Sequence, residues 1–152
     1  MEENRNQVPV ELYGIFVSET SKGIAPVVVL KTSEDDFIPI YVGLGEALSA
    51  QRGLEDGEPA RPFTHDLIEK FLDELEIDVN KIVIDELENG VFFAQLILEK
   101  KERSIKIDSR PSDCIAIAAR TGSEILMEKE VIEDAGKDSE EIKDLKDFKD
   151  YF

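Results

Sequence analysis

The sequence has few of the residues on which several kinds of catalytic site depend. Its 152 residues include no tryptophan, one histidine (His65) and one cysteine (Cys114). One cysteine excludes a disulfide within the chain, and its setting indicates a small buried position rather than a reactive thiol. One histidine excludes a pair of catalytic histidines in one chain, and the sequence has no Cys/His zinc cluster. It also lacks a phosphate-binding loop ending in Gly-Lys-Ser/Thr and a Gly-X-Ser-X-Gly motif.

Long apolar runs are missing as well. None approaches the roughly 20 residues that a membrane-spanning helix needs. Residues 1–5 also lack the apolar segment of a secretory signal peptide. We therefore expect a cytoplasmic protein that does not enter a membrane. With 41% hydrophobic residues, the chain still has enough apolar side chains to bury the core of one domain.

Positive charge is scarce. Eighteen lysines and arginines stand against 35 aspartates and glutamates, which gives a net charge of −17. Such a chain repels nucleic acid and anionic membranes at long range, and it has no basic stripe with interleaved aromatic residues. The acidic segment 130–150 is typical of a well-solvated face. An alternative is that it recruits a basic partner.

Hydrophobic periodicity and turn residues divide the chain into strands and helices. Strands are predicted at residues 10–18, 25–32, 37–42, 81–85, 91–99, 104–108 and 124–127. Helices are predicted at residues 47–54, from the N-cap Thr64 onward, at 111–120 and in a short segment ending near Gly136. Three local signals accompany them. Asn89-Gly90 indicates a hairpin turn, Pro39 places its strand at an edge or a bulge, and Gly122 fits a helix C-cap.

This order of elements predicts an α+β fold. We expect a single compact domain in which helices pack on an antiparallel or mixed sheet. Beyond residue 137 the pattern weakens, although Ile142, Leu145 and Phe148 keep a helical spacing. The acidic C-terminal tail, residues 137–152, is therefore expected to be either a docked amphipathic helix or disordered.

Two segments of the chain resemble each other. Arg-Pro-Phe-Thr-His-Asp occupies residues 61–66, and Asp-Ser-Arg-Pro-Ser-Asp occupies residues 108–113. Each places Arg-Pro and a hydroxyl residue at the start of a predicted helix, with an acid nearby. Helix N-termini present unpaired N–H groups and the positive end of the dipole, so they favour anions. These two segments are the first candidates for a functional site.

Each candidate residue has a structural alternative. His65 is suited to acid/base catalysis or metal binding, and equally to a hydrogen bond with a neighbouring acid. Asp108 and Asp113, at a strand end and a helix start, can flank Arg110. Such carboxylates suit Mg²⁺, or they form an Arg–Asp clamp that fixes the turn. Glu46 is a third acid near a helix N-terminus.

Three segments together resemble the bifunctional nuclease (DNase/RNase) domain family. They are Ile-Pro-Ile-Tyr-Val-Gly at 38–43 with the following Glu46-Ala47, the segment 61–67, and the segment 107–113 with Ile115-Ala116. The similarity runs from about residue 10 to residue 136, so residues 1–136 are taken as this domain. Ser109 and Cys114 are mild departures from the family pattern. The acidity of the tail resembles that of archaeal members.

The resemblance implies an α+β fold, self-association and nuclease activity on DNA and RNA. The leading hypothesis is therefore a phosphodiesterase assisted by Mg²⁺ or Mn²⁺. Its predicted catalytic residues are His65, Asp66, Asp113, Arg110 and Arg61, with the two arginines holding the phosphate. Its predicted metal ligands are Glu46, Asp108 and Asp113.

A second hypothesis belongs to a different class. Here the protein is a non-catalytic, homo-oligomeric binding or regulatory module, and the Arg-Pro segments are structural clamps. Arg61 and Arg110 would then bind Asp66, Asp108 or Asp113. The net charge of −17 and the lack of a basic groove favour this hypothesis.

Overall fold

The computed structural model of the protein describes residues 6–152. Its strands are β1 (Gln7–Thr20), β2 (Gly23–Lys31), β3 (Phe37–Tyr41), β4 (Asp78–Glu88), β5 (Val91–Lys100), β6 (Arg103–Ser109), β7 (Glu124–Glu128) and β8 (Lys146–Asp147). Its helices are α1 (Leu44–Leu54), α2 (Thr64–Glu74), α3 (Pro111–Thr121) and α4 (Lys129–Ala135), followed by a 3₁₀ turn at Phe148–Asp150. Within this part of the chain, no helix has the length and apolar character needed to cross a bilayer.

The strands form one mixed sheet. Their order is β3-β2-β1-β7-β4-β5-β6, and β8 also pairs with β1. Two antiparallel meanders, β1 to β3 and β4 to β6, are joined by β7, which runs antiparallel to β1 and parallel to β4. The helices accompany this single sheet rather than alternating regularly with its strands. The predicted α+β class is therefore confirmed.

Local sequence signals account for several features of the sheet. Strand β3 lies at an edge, where Pro39 does not interrupt pairing on both sides. Asn89 and Gly90 have φ angles of 52° and 80° and connect β4 to β5 in a tight hairpin. Gly122 ends α3 in the left-handed conformation, with φ 71°. These three predictions are confirmed.

The N-terminus of α2 differs from the prediction. Its N-cap is Phe63, and Thr64 is the first helical residue. The Phe63 N–H donates to Asp66 Oδ2 at 2.9 Å, so the carboxylate of a residue in the first turn accepts from the backbone of the N-cap residue. The acid thus supplies the stabilisation that we expected from the Thr64 hydroxyl.

Small residues bring α1 close to α3. Ala47 and Ala50 of α1 and Ala116 of α3 are almost completely buried. The approach is close at Gly53, because a Cβ there would lie 2.7 Å from the Ala119 Cβ. The N-terminal ends of the two helices also meet, since Arg110 Nη1 lies 3.3 Å from Glu46 Oε1.

The tail adopts neither of the expected arrangements. Lys146 and Asp147 pair with β1, and the 3₁₀ turn follows directly. Ile142 and Leu145 pack against a small cluster that includes Val27 and Val29, whereas Phe148, 1% exposed, joins the main core. The apolar residues therefore serve two clusters, and one amphipathic helical stripe cannot do this.

Candidate functional site

The two Arg-Pro segments meet in space. His65, the second residue of α2, lies within hydrogen-bond distance of Asp113, in the first turn of α3. Glu46, in the first turn of α1, joins them through Arg110. Together the three helices border a cleft of about 870 Å³, into which Leu48 and other apolar side chains also project. The cleft therefore combines charged groups with apolar walls, as ligand sites commonly do.

His65 is held at both ring nitrogens. Its Nδ1 lies 2.6 Å from Ser49 Oγ, and its Nε2 lies 3.0 Å from Asp113 Oδ1. Arg120 Nη2 donates to the same Ser49 Oγ at 3.1 Å, so the serine hydroxyl is free to donate its own proton to Nδ1. The histidine then donates Nε2–H to the carboxylate. With the bonds in this direction, Nε2 carries the proton and Nδ1 is the acceptor.

Arg110 joins the acids of α1 and α3 at the mouth of the cleft. Its Nε and Nη2 donate to Asp113 Oδ2 and Oδ1 at 2.8 and 3.2 Å, and its Nη1 donates to Glu46 Oε1 at 3.3 Å. The side chain is 66% exposed, so the guanidinium remains accessible to an incoming anion. The hydrogen bonds to Asp113, followed by its charge and that of Glu46, raise the pKa of Arg110.

Opposing effects act on Asp113. Burial by itself would raise the pKa of this carboxyl, but hydrogen bonds from Arg110 and His65 and the positive charge of Arg110 outweigh it. The pKa of Asp113 is therefore lowered. The carboxylate is ionised at neutral pH and can orient the imidazole.

A second arginine, Arg120, lies behind the cleft and is almost completely buried. Its Nε donates to Asp66 Oδ1 at 2.7 Å, and its Nη1 donates to the carbonyls of Ser49 and Ala116 at 3.0 and 2.7 Å. Burial would raise the pKa of Asp66, yet the Arg120 hydrogen bond, the Phe63 N–H and nearby positive charge together lower it. Arg120 thus ties α1, α2 and α3 together beneath the histidine.

The remaining predicted residues lie in different places. Asp108 lines the cleft, and within residues 6–152 it forms no ion pair. Arg61 is exposed in the loop before α2 and is not among the residues that line the cleft. Asp66 is bound to Arg120 rather than directed into the cleft. The structure therefore brings together Glu46, His65, Arg110 and Asp113, with Asp108 nearby.

The predicted metal ligands do not form a metal site in this arrangement. Among the described residues, no group of three or more His, Cys, Asp and Glu side chains is placed to hold a metal ion. Arg110 donates to both Glu46 and Asp113, so a guanidinium already bridges the carboxylates that would bind a cation. The donor set as arranged does not fit Mg²⁺, which needs near-octahedral oxygen ligands. Assistance by Mg²⁺ or Mn²⁺ stays a prediction.

Sequence reasoning missed three residues of the site. Ser49 and Arg120 complete the contacts of His65 and Asp66, and Arg52 lines the cleft with its guanidinium 3.7 Å from the centre of the Phe63 ring. One signal was present, since Glu46 and Ser49 are three residues apart and share a helical face. Nothing local pointed to Arg120, because Asp66 lies 54 positions away in the chain.

Comparison with known proteins identifies the family. The family model of the bifunctional nuclease domain matches residues 28–140. Two proteins of Mycobacterium tuberculosis, Uncharacterized protein MT1877 (strain CDC 1551 / Oshkosh) and Uncharacterized protein Rv1829 (strain ATCC 25618 / H37Rv), are similar to this chain. Each is 37% identical over 128 residues, which is 84% of this chain and 75% of the relative. These relatives do not support the archaeal likeness, which stays a prediction. The chain belongs to the bifunctional nuclease domain family.

Proposed function

We propose that this protein hydrolyses phosphodiester bonds of DNA and RNA in the cleft between α1, α2 and α3. The observation that carries the proposal is the position of His65, held between Ser49 and Asp113 at the wall of a cleft that two arginines also line. Membership of a family named for nuclease activity supports the same conclusion. Cytoplasmic location is part of the proposal.

Phosphodiester hydrolysis needs a proton acceptor and positive charge near the phosphate. His65 is the proposed acid/base group, and Asp113 fixes its tautomer and stabilises the imidazolium that forms. Arg110 and Arg52 are the proposed phosphate contacts, because both guanidinium groups line the cleft. Arg61, exposed before α2, is proposed to contact a more distant part of the nucleic acid.

The other predicted residues take supporting parts in this proposal. Asp66 binds Arg120, and Arg120 donates to Ser49, which contacts His65. Asp66 therefore helps to position His65 through these two residues. Glu46 holds Arg110 in place across the mouth of the cleft. Asp108 lines the cleft, so it is the proposed ligand if Mg²⁺ or Mn²⁺ takes part. The mechanism has no step on a metal ion, and the assay below tests metal dependence directly.

The test is a cleavage assay on single-stranded RNA and DNA, with Mg²⁺, with Mn²⁺ and with chelator. We expect the parent protein to cleave both, and His65→Ala and Asp113→Asn to lose at least about 100-fold in rate. Asp134→Asn, an exposed change in α4, is the matched control and should cleave at the parental rate. Circular dichroism establishes that each variant is folded. Equal cleavage by all four preparations would identify a contaminant and remove the proposal.

A second candidate function rests on a different surface. Phe63, Leu67, Phe71 and Leu75 repeat every four residues along α2 and are between 43% and 56% exposed. Such a stripe favours a homo-oligomeric binding or regulatory module. If the Arg-Pro segments are only clamps, Arg110→Ala lowers the melting temperature by several degrees and the parent does not cleave nucleic acid.

The tail offers a third test, for a basic partner. Deleting residues after Gly136 would remove Phe148 from the core, so deletion would confuse binding with stability. Neutralising exposed acids of the tail, such as Glu140 and Asp144, leaves Phe148 in place. Loss of binding to a basic peptide in that variant would support recruitment by the tail.

A further inference from the structure

Ser49 occupies an unusual position for a hydroxyl that serves only packing. Its Oγ lies 2.6 Å from His65 Nδ1 and accepts from Arg120 Nη2 at 3.1 Å, while the residue also lines the cleft. The hydroxyl therefore has a base on one side and a buried cation on the other. One oxygen lone pair remains uncommitted among the contacts of the described residues.

The bonding of His65 restricts how it can act. The His65 side chain is 9% exposed, and its Nε2 is directed to Asp113. Its basic nitrogen, Nδ1, is directed to Ser49 rather than to open space. A proton that His65 removes as a base in this arrangement is therefore the proton of the Ser49 hydroxyl. The same logic links serine, histidine and aspartate in hydrolases on unrelated folds, where geometry rather than chain order defines the group.

We propose that Ser49 is a nucleophile that forms a covalent phosphoryl-enzyme intermediate. This inference rests on the proposed function and specifies how that reaction proceeds. Ser49 Oγ attacks phosphorus, and its proton passes to His65 Nδ1 as the O–P bond forms. The bond from phosphorus to the leaving nucleotide oxygen breaks, and that oxygen takes the proton from His65. Water then attacks phosphorus of the resulting serine–nucleotide diester and gives a proton to His65. The bond from Ser49 Oγ to phosphorus breaks, the nucleotide leaves as a phosphate monoester, and Ser49 Oγ recovers the proton from His65.

The surroundings of Ser49 support this step. Arg120 Nη2 donates to the oxygen on which negative charge develops, and its own position is fixed by Asp66 and two backbone carbonyls. Arg120 and Asp66 are thus positioning residues. Leu48, Leu96 and Ile117 also line the cleft, and apolar walls of this kind lower the local dielectric and strengthen the electrostatic contacts.

The first experiment uses the unmodified protein with a fluorophosphonate, which reacts with activated serines. The hydroxyl displaces fluoride from phosphorus, and the proton leaves with fluoride. We expect one adduct per chain in the intact mass, located at Ser49 by peptide mapping. Ser109→Ala is the matched control, because Ser109 lines the same cleft and its hydroxyl donates to the Ile107 carbonyl. This variant should be labelled as fully as the parent.

Variants at position 49 complete the test. Ser49→Ala should lose the adduct and lower kcat by at least about 100-fold with KM nearly unchanged. Ser49→Cys keeps a nucleophile, and iodoacetamide should alkylate Cys at this position while leaving buried Cys114 unmodified. Absence of an adduct on the folded parent, or an adduct that persists in Ser49→Ala, overturns the proposal.

The outcomes also separate this inference from the proposed function. If Ser49→Ala cleaves nucleic acid at the parental rate, the nuclease stands and the nucleophile is wrong. If Ser49 is labelled but no preparation cleaves DNA or RNA, the nucleophile stands and the substrate is another ester.

Discussion

Arg110 and Arg120 each bind an aspartate at the N-terminal turn of a helix, but they do so in opposite surroundings. The Arg110 side chain is 66% exposed and its partner Asp113 is 31% exposed. The Arg120 side chain is 5% exposed, and its partner Asp66 is 18% exposed. Arg110 leaves part of its guanidinium facing the cleft, whereas Arg120 directs its donors to Asp66, Ser49 and Ala116.

The difference in exposure separates two tasks that an arginine–aspartate pair can perform. A buried guanidinium with every contact inside the protein fixes the relative positions of helices, and losing it leaves buried acceptors unpaired. An exposed guanidinium contributes little to stability but can exchange its partner for a phosphate. We therefore expect Arg120 to dominate stability and Arg110 to dominate recognition.

Arg120→Ala should have the largest effect on stability. It removes the partner of the Asp66 carboxylate and the donors to two carbonyls, at a cost of about 3–5 kcal/mol. The melting temperature should fall by on the order of 10 °C, measured by circular dichroism or calorimetry. Arg120→Lys is the informative control, because a single ammonium cannot reproduce all these contacts. A melting temperature unchanged by Arg120→Ala would contradict the structural assignment.

Gly53→Ala should have the next largest effect. The added Cβ meets the Ala119 Cβ at 2.7 Å and Arg120 Nη1 at 3.1 Å, so α1 and α3 must separate. Overpacking of this kind costs about 1–3 kcal/mol. Chemical denaturation would measure the loss, and Gly45→Ala in the same helix is the control because a Cβ there contacts nothing within 4 Å. Equal stability of the two variants would show that α1 and α3 can move apart at little cost in free energy.

Acid should reduce the contribution of the Asp66–Arg120 ion pair to the free energy of unfolding. The pKa of Asp66 is lowered in the folded protein, so its contribution is complete above the unfolded pKa of about 3.9. That contribution is lost as the pH falls through the lower, folded pKa. The difference in free energy of unfolding between the parent and Asp66→Asn should therefore shrink below about pH 4. Urea denaturation at pH 6, 4 and 3 measures it, and a constant difference would exclude this linkage.

Arg110→Ala should have the smallest effect on stability and a large effect on function. Because the side chain is exposed, we expect a melting temperature within about 2 °C of the parent. Under the proposed function, binding of a single-stranded oligonucleotide should weaken clearly, as fluorescence anisotropy would measure. The reverse result, a large loss of stability with unchanged binding, would favour the structural-clamp hypothesis.

Much of the fold was predictable because its signals are local. Asn89-Gly90, Pro39 and Gly122 each impose a backbone requirement that their neighbours in sequence reveal. The position of β7 between β1 and β4 was not predictable, since strand patterns do not state which strands pair. The predicted amphipathic helix of the tail was wrong, because the apolar residues at helical spacing, such as Leu145 and Phe148, pack in two different clusters.

The site was predictable in part for the same reason. The Arg-Pro segments drew attention to His65, Arg110 and Asp113, and the structure brings these three together. Ser49 and Arg120 could not be paired with them, because contacts between residues 71 positions apart leave no local pattern. The single histidine of the sequence indicates one candidate group, but only its two hydrogen-bonded neighbours show which ring nitrogen faces a reactive group.

The placement of β7 has a consequence for how the protein folds. Each meander pairs strands that are neighbours in sequence, whereas β7 pairs with a strand at the other end of the described chain, with 121 positions between Gln7 and Glu128. Closing so long a loop is entropically costly and slow. We expect the β4–β5 hairpin to form before β7 joins the two meanders. Pulsed hydrogen exchange should show late protection of β7 amides, and simultaneous protection would indicate one concerted step.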